Sequence, residues 1–319
     1  MPSSTLDDLV DAYTQVGTRN QAILEEFGLI AQRFQQQGIV FIVLKGADVI
    51  SRLYGVRGAR PISDVDLLVH ESDLPAIDRL LRDFGFAQQI DGNPSYASSE
   101  RGLSLDLITT IWYLDRQRLA DVWSRAMTRP FGATTICCLD TADLLIYLTA
   151  YTVIHRGHLS VSFVHDMKLL IEKEPPDWPV VIARIQQTGL QAPLHHGLNH
   201  VRKIFPSIAI PDTVLELLTP SNRNEHMLAW LLRKLVTTEP LQELGHLLLF
   251  LTQPGVTKMI WLARRFHPSP TFLSYRYGSA GQTRPWRTRL LRWYHLAKAG
   301  LILSGPVLRR LITPSRPSS

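Results

Sequence analysis

The chain has 319 residues, of which 45% are hydrophobic and 19% are charged, and its formal net charge is +6. This composition is typical of one large or two modest globular domains and excludes an intrinsically disordered chain. The first residues are polar and acidic, and no stretch reaches the roughly 18 apolar residues of a membrane span. We therefore expect neither a signal peptide nor a transmembrane helix, and we predict a cytoplasmic protein.

The first part of the chain alternates between helical and extended patterns. The predicted helices span residues 6–37, 47–54 and 73–84, and the predicted strands span residues 39–44, 64–69, 86–90, 95–98 and 103–109. Gly38 ends the first helical pattern, and Lys45-Gly46 turns the chain between the first strand and the next helix. Glycine and proline mark a loop at residues 55–61 and a turn at residues 91–94.

Helical patterns dominate from about residue 115 onward. Residues 136–139 predict one more strand, after which Asp140 and Thr141 are candidate caps for a helix that runs toward His155. We therefore predict an α/β (α+β) fold, in which a small mixed module is followed by a helical domain. The predicted boundaries are residues 1–135 for the α/β module with its N-terminal helices, 136–312 for the helical domain and 313–319 for a disordered tail.

Three carboxylates interrupt the apolar strands of the first module. Asp64 and Asp66 stand two residues apart, so their side chains project from the same face of one strand. Asp106 interrupts a second apolar strand. Carboxylates are costly to bury alone, and the hard oxygen ligands that they offer suit Mg²⁺ or Mn²⁺. If the two strands are neighbours, the three side chains converge on a metal site, and without metal they repel one another.

Residues near the acidic pair are candidates for binding phosphate. Gly46 permits close approach of the backbone to a ligand, and Lys45 adds a positive charge at the same turn. The start of the following helix would present free amides. Ser63, Arg60 and Arg57 lie just before Asp64, and the spacing does not decide which of them reaches a triphosphate or an acceptor.

The segments Leu44-Lys45-Gly46, Leu53-Tyr54-Gly55 and Arg60-Pro61-Ile62-Ser63-Asp64-Val65-Asp66-Leu67-Leu68-Val69 resemble the uncharacterised nucleotidyltransferase family of the DNA polymerase β superfamily. The resemblance is strongest over residues 40–110. The turn is Lys-Gly-Ala, as the family favours, instead of the Gly-Ser that is usual in the superfamily.

The resemblance implies a function and roles for the residues that match the motif. Asp64, Asp66 and Asp106 would be the catalytic, metal-binding carboxylates, and Asp106 is also a candidate general base. Lys45, Gly46, Ser63 and Arg60 would bind the NTP co-substrate. The implied reaction transfers an NMP from an NTP to a hydroxyl or phosphate of a small-molecule or peptide acceptor, with release of pyrophosphate. The alternatives are a nucleotide-binding protein without activity and an RNA-modifying nucleotidyltransferase.

Other patterns leave several interpretations open. The adjacent Cys137 and Cys138 point to opposite faces of a strand, which predicts two buried apolar side chains and neither a zinc site nor a disulfide. Histidines at 155, 158 and 165 favour buried or solvated side chains over a metal site. His155 and Asp166 are also candidates for lining the acceptor pocket.

The second half of the chain is strongly basic. Residues 151–319 hold 21 basic and 9 acidic side chains, against 13 and 19 in residues 1–150, and no acidic residue follows Glu243. This charge is explained equally well by an anionic partner and by a solvated surface.

Aromatic and basic residues alternate at 275–277 and 286–294. This pattern suits stacking on nucleic-acid bases, or a helix that packs Leu290, Trp293, Tyr294 and Ala297 on the core, or a helix on an anionic membrane. We favour the packed helix, and we rank the membrane helix lowest because the basic residues do not segregate onto one clean face.

Overall fold

A seven-stranded mixed sheet organises the first of two compact units, Met1–Leu144 and Leu145–Ser319. The computed structural model describes residues 3–90, 94–252, 259, 263, 266–267, 273 and 285–312. The strands are β1 (Phe41–Val43), β2 (Val65–Val69), β3 (Ala87–Ile90), β4 (Pro94–Ser98), β5 (Leu103–Ile108), β6 (Met127–Phe131) and β7 (Thr134–Cys138). The helices are α1 (Ser3–Gln36), α2 (Ala47–Leu53), α3 (Leu74–Asp83), α4 (Arg116–Arg125) and α5 (Thr141–Thr149), with short 3-10 turns at Arg57–Ala59 and Glu71–Asp73.

The strand order is β3-β4-β5-β2-β1-β7-β6. β2 lies antiparallel to β1 and parallel to β5, and β1 lies parallel to β7, while the outer neighbours pair as antiparallel strands. The prediction of a mixed α/β module is confirmed. The helical pattern expected from residue 115 is wrong at β6, which forms the edge of the sheet and carries Pro130. A proline is tolerated there because an edge strand bonds on one side only.

Helix α1 covers one face of the sheet. Phe27 and Phe34 are fully buried, and their rings meet the ring of Phe41 edge-on at centroid distances of 6.2 and 5.5 Å. Burial of each such side chain contributes about 2 kcal/mol. The β2 side chains that join this core are Val65, Leu67 and Val69. Because side chains alternate along a strand, the residues between them face the other side of the sheet.

The end of α1 follows the sequence pattern. The helix is continuous to Gln36, and Gly38 has a φ of +70°, a left-handed conformation that glycine adopts without steric cost. The backbone amide of Ile39 then donates to the carbonyl of Phe34 at 2.9 Å, which turns the chain toward β1. The predicted helix end at Gly38 is therefore confirmed.

A buried ion pair anchors α2 to the chain that follows β7. Arg52 donates to the carbonyl of Leu139 and to the hydroxyl of Thr141, both at 2.9 Å, and lies 3.5 Å from the carboxylate of Asp48. Asp140 caps α5 as predicted, since its carboxylate accepts from the amide of Asp143 at 2.8 Å. Thr141 instead binds Arg52, so this part of the chain fixes the helix that follows the Lys-Gly turn.

The described part of the second unit is helical and contains no strand. A π-helical segment (Ala150–Arg156) continues α5 and is followed by α6 (Val161–Lys173), α7 (Trp178–Gln186), α8 (Gln191–Ile204), α9 (Asp212–Leu217), α10 (Arg223–Leu235), α11 (Leu244–Thr252) and α12 (Pro285–Ile312). The predicted helical C-terminal region is confirmed. The two units divide later than the predicted boundary at residue 135, because β7 pairs with β1 and belongs to the sheet. Residues 313–319 and 91–93, where a disordered tail and a turn are predicted, lie outside the described residues.

Two predictions about which side chains are buried are corrected. Cys138 is buried and Cys137 is half-buried, and both thiols are free, so the prediction of two buried cysteines holds for Cys138 alone. In α12, Leu290, Trp293, Tyr294 and Ala297 are exposed, whereas Thr288 and Arg292 are buried. The predicted inward face of this helix is therefore wrong, and residues 275–277 are not among those described.

None of the helices that the structure describes has the length and hydrophobicity needed to span a bilayer.

The buried ion pair predicts how stability depends on pH. Burial raises the pKa of Asp48 from 3.8 to about 6, although the guanidinium groups of Arg52 and Arg129 oppose this shift. Between these pH values the folded chain retains a proton that the unfolded chain has lost. The free energy of unfolding therefore falls as pH rises from about 4 to about 6 through this carboxyl group.

We expect Asp48→Asn to flatten this part of the profile, because asparagine does not titrate. Urea titrations at fixed pH values across the range measure the slope. Asp78→Asn is the control, because the hydrogen bond with Arg82 lowers the pKa of Asp78 below 3.8, so this carboxyl contributes a slope of the opposite sign only at lower pH. An unchanged downward slope in Asp48→Asn would show that other groups cause it.

Candidate metal centre

The parallel pairing of β2 with β5 brings three carboxylates together. Asp66 and Asp106 are direct register partners across these strands, and Asp64 precedes β2 on the same face as Asp66. One possible ligand atom from each of the three lies within 4.8 Å of the others. Asp66 is buried, and Asp64 and Asp106 are half-buried. The convergence depends on strand pairing that joins residues about forty positions apart in the chain.

The alternation of side chains in β5 explains why this face is partly open. Its residues alternate between buried leucines at 103, 105 and 107 and half-buried side chains at 104, 106 and 108. The leucines join the core beneath α1, so Asp106 projects from the opposite face. A half-buried carboxylate next to a buried one is accessible to a ligand while it remains fixed by the sheet.

Lys45 supplies a positive charge inside this group. Its ammonium contacts the Oδ2 atom of Asp66 and lies 3.7 Å from the Oδ2 atom of Asp64, and only 9% of its side chain is exposed. The sequence predicts repulsion among the three acids without metal, and the Lys45 ammonium offsets part of this repulsion. The prediction that Lys45 binds phosphate is not tested by this contact, which shows the lysine on the carboxylates.

Gly46 has the backbone conformation that the turn requires. Its φ is +55°, and a Cβ at this position would lie 3.5 Å from the carbonyl oxygen of Asp64. A side chain would therefore be strained by the positive φ, although its Cβ would make only ordinary van der Waals contact with the start of the acidic strand. The turn follows β1, and the backbone amide of Leu44 donates to the carbonyl of Asp66 at 3.1 Å. Lys45, the next residue, therefore lies beside the acidic strand.

The other predicted ligand-binding residues lie on the loop before β2. The hydroxyl of Ser63 donates to the Oδ1 atom of Asp64 at 2.8 Å, which places it directly beside the carboxylates. Arg60 is half-buried, and Arg57 is exposed. In the part of the chain that the structure describes, no histidine joins a group with metal-binding geometry, so a metal site at His155, His158 and His165 has no support.

Asn20 fixes this loop and was not identified from the sequence. Its side chain is almost fully buried, and its Nδ2 atom donates to the carbonyls of Arg57 at 2.5 Å and Arg60 at 2.7 Å. Its Oδ1 atom accepts from the amide of Ile62 at 3.2 Å. The available signal was a polar residue in the apolar stripe of α1, three positions before Ile23.

Gly58 allows the same loop to lie against α1. A Cβ at this position would come within 2.5 Å of the carbonyl oxygen of Tyr13, closer than real contacts permit. Asn20 and Gly58 therefore hold the loop from two points, one through hydrogen bonds and the other through close packing. The loop leads directly to Ser63 and Asp64, so its position determines where the carboxylate of Asp64 lies.

The three carboxylates fit a divalent cation. They offer hard oxygen ligands from two adjacent strands, which suits Mg²⁺ or Mn²⁺. The Lys45 ammonium already lies against two of these carboxylates, so a metal bound here would compete with it. Asp64, Asp66 and Asp106 are the residues that would hold the metal.

Comparisons with known proteins give one family match and a similarity to a solved structure. A family model described as "Uncharacterised nucleotidyltransferase" matches residues 1–206, which include the whole first unit. Among solved structures, the chain is similar to an antigenic nucleotidyltransferase-like protein from Paracoccidioides brasiliensis, with 16% sequence identity and a TM-score of 0.44. That match covers 62% of this chain and 93% of the other. No curated protein matches the chain.

Replacement of the buried lysine tests its role as the internal cation. In the presence of a chelator, we expect Lys45→Met to lower the free energy of unfolding by about 2 kcal/mol. This loss is smaller than that for breaking a fully buried ion pair, because solvent reaches part of Asp64. Without nucleotide, Mg²⁺ should bind the variant more tightly, because no ammonium has to be displaced. Thermal unfolding with and without Mg²⁺ measures both effects.

Lys168→Met is the matched control, because Lys168 pairs with Glu172 on the surface of α6. It should leave the Mg²⁺-dependent change in the unfolding temperature unaltered. Equal Mg²⁺ responses in Lys45→Met and the wild type would exclude the internal-cation role.

Loss of the buried asparagine should disturb the loop and the metal site together. Asn20→Ala leaves the carbonyls of Arg57 and Arg60 without this donor, so we expect a loss of about 2 kcal/mol in the free energy of unfolding and weaker Mg²⁺ binding. Urea titration and calorimetry with Mg²⁺ measure these quantities. Asn199→Ala serves as the control, because that amide donates to His195 within its own helix. Unchanged Mg²⁺ affinity in Asn20→Ala would show that the loop does not position the metal site.

Proposed function

The chain belongs to the uncharacterised nucleotidyltransferase family, and from this premise we propose that it transfers an NMP from an NTP to a hydroxyl or phosphate of a small-molecule or peptide acceptor. The observation that carries the proposal is the meeting of Asp64, Asp66 and Asp106 within 4.8 Å. Three carboxylates on adjacent strands suit metal-assisted phosphoryl chemistry, in which the metal neutralises charge on the phosphates. The acceptor class rests on the family resemblance alone.

The carboxylates have distinct tasks in this proposal. Asp64 and Asp66 would hold Mg²⁺ or Mn²⁺, and Asp106 would complete the site. When bound, the ion supplies charge stabilisation to the phosphates and to the attacking oxygen. Asp106 is half-buried and faces the open side of the site, where it accepts the proton of the acceptor hydroxyl as general base. The acceptor oxygen forms a bond to the α-phosphorus, and the bond from that phosphorus to pyrophosphate breaks.

Lys45 has two successive partners in this scheme. Without metal, its ammonium neutralises Asp66 and Asp64. With a divalent cation held by these carboxylates, the Lys45 ammonium would instead donate to the triphosphate. Gly46 leaves room for the approach of the phosphates, while Ser63 and Arg60 contribute further donors from the loop. The lysine therefore links metal binding to nucleotide binding.

The reaction is tested by transfer of label. The chain is incubated with NTPs labelled at the α-phosphate, Mg²⁺ and a cell extract, and the labelled molecule is identified. We expect label on one small-molecule or peptide acceptor. Asp66→Asn and Asp106→Asn should reduce the rate of labelling by at least about a hundredfold, because one loses a metal ligand and the other the base.

The control is Asp78→Asn, which removes a carboxylate of α3 that is bonded to Arg82 and Tyr96 in the same unit. Undiminished labelling by Asp66→Asn would remove that residue from the mechanism. Calorimetric binding of Mg-NTP without any labelled product would instead support a nucleotide-binding protein without activity. Label on RNA, with steeply salt-dependent RNA binding, would support the RNA-modifying alternative.

A further inference from the structure

The outward face of α12 carries exposed apolar side chains over most of its length. The helix has 28 residues and is about 42 Å long at 1.5 Å per residue. Leu291 and Ile302 are exposed on its flank. Eight further exposed apolar side chains share one face, which is interrupted at Ser304 and Gly305, and they are Trp286, Leu290, Trp293, Tyr294, Ala297, Leu301, Leu308 and Ile312. We call these residues the outer stripe. Leu301 is 75% exposed and Ile312 is 79% exposed, so the stripe is not a partly covered core face.

The inner face of α12 explains this orientation. Thr288 and Arg292 are buried, and Leu296, Ala299 and Leu303 are half-buried at the following helical intervals. Near the end of the helix, Arg310 donates to the carbonyl of Leu235 at 3.0 Å and to the hydroxyl of Thr237 at 3.1 Å. Polar anchors therefore attach the helix to the rest of its unit. Trp293 of the outer stripe also donates to the carbonyl of Phe266 at 2.8 Å, and it remains 41% exposed like its exposed neighbours in the stripe.

The cations of α12 divide between its two faces. Arg292 is buried and Arg289 and Arg310 are half-buried, whereas Arg287, Lys298 and Arg309 are exposed. The three exposed cations recur every eleven residues, which is close to three helical turns, so they form one row along the flank of the outer stripe. We call them the flanking row. The helix contains no acidic residue.

From this arrangement we propose that α12 binds the surface of an anionic lipid bilayer and lies in the plane of the head groups. The outer stripe would enter the boundary between head groups and acyl chains, and the flanking row would meet the anionic head groups. Trp286, Trp293 and Tyr294 are the residue types that prefer this boundary, because their rings are apolar and carry a polar atom.

Charge and chemistry favour lipid over the other possible occupants. A second copy of the chain, packed stripe against stripe, would bring two rows of positive charge together, and like charges oppose association. Nucleic acid would pair with the cations, but the aliphatic side chains of Leu301, Leu308 and Ile312 gain nothing from phosphates or ribose. An anionic bilayer satisfies both the apolar stripe and the cationic row.

Vesicle flotation with the full chain tests the proposal. We expect the chain to float with vesicles of phosphatidylcholine and phosphatidylglycerol and to remain unbound with phosphatidylcholine alone. Binding should weaken as salt is added, because the flanking row is screened. The double variant Arg287→Gln/Lys298→Gln should reduce the partition coefficient about 25-fold, at about fivefold for each cation. Lys203→Gln/Arg223→Gln removes two exposed cations from other helices of the same unit and is the control.

A second pair of variants tests the apolar contribution. Leu301→Asp should abolish flotation, whereas Leu217→Asp, at an exposed leucine of α9, should not. Both positions are exposed, and equal unfolding temperatures would show that folding is intact.

Four results would overturn the proposal. They are no flotation with either vesicle, flotation that neither α12 variant reduces, a dimer that Leu301→Asp dissociates, or RNA binding that depends on the flanking row but not on Leu301.

Discussion

The parallel pairing of β2 with β5 is the constraint on which the candidate site depends. This register puts Asp66 directly beside Asp106, and the two-residue period of β2 adds Asp64 on the same face. Three neighbouring carboxylates repel one another, so the arrangement requires a cation. Lys45 provides one from within the chain, through its contacts with Asp66 and Asp64. The arrangement is thus neutralised in part from within the chain, and a metal that bound there would compete with an internal ammonium.

The candidate site is supported by the opposite face of the sheet, which carries none of the three carboxylates. Helix α1 packs its phenylalanines on that face and fixes the central strands. The same helix carries Asn20, whose three hydrogen bonds hold the loop before the acidic pair. Arg52 binds the chain after β7 and anchors the helix that follows Gly46. A site placed on strands and supported by such contacts keeps its geometry better than one built on mobile loops.

The basic second half of the chain shows why net charge alone does not identify a partner. Some of its arginines have structural roles, since Arg310 binds backbone and side-chain oxygens at the end of α10. Others, such as Arg287 and Lys298, are exposed beside an apolar surface. The excess of positive charge therefore combines internal anchors with a surface of defined chemistry, and each cation has to be assigned from its own contacts.

The sequence by itself determined the features that depend on local geometry. Period-two spacing put Asp64 and Asp66 on one face, Gly38 ended α1, and Asp140 capped α5. Tertiary structure decided what depends on distant partners: the register of Asp66 with Asp106, the contact of Lys45 with the acids, and the pairing of β6 with β7. It also decided the orientation of α12, because a helical repeat defines an apolar face but not the direction in which that face points. Local backbone geometry is fixed by neighbouring residues, whereas pairing and orientation follow from the packing of segments far apart in the chain.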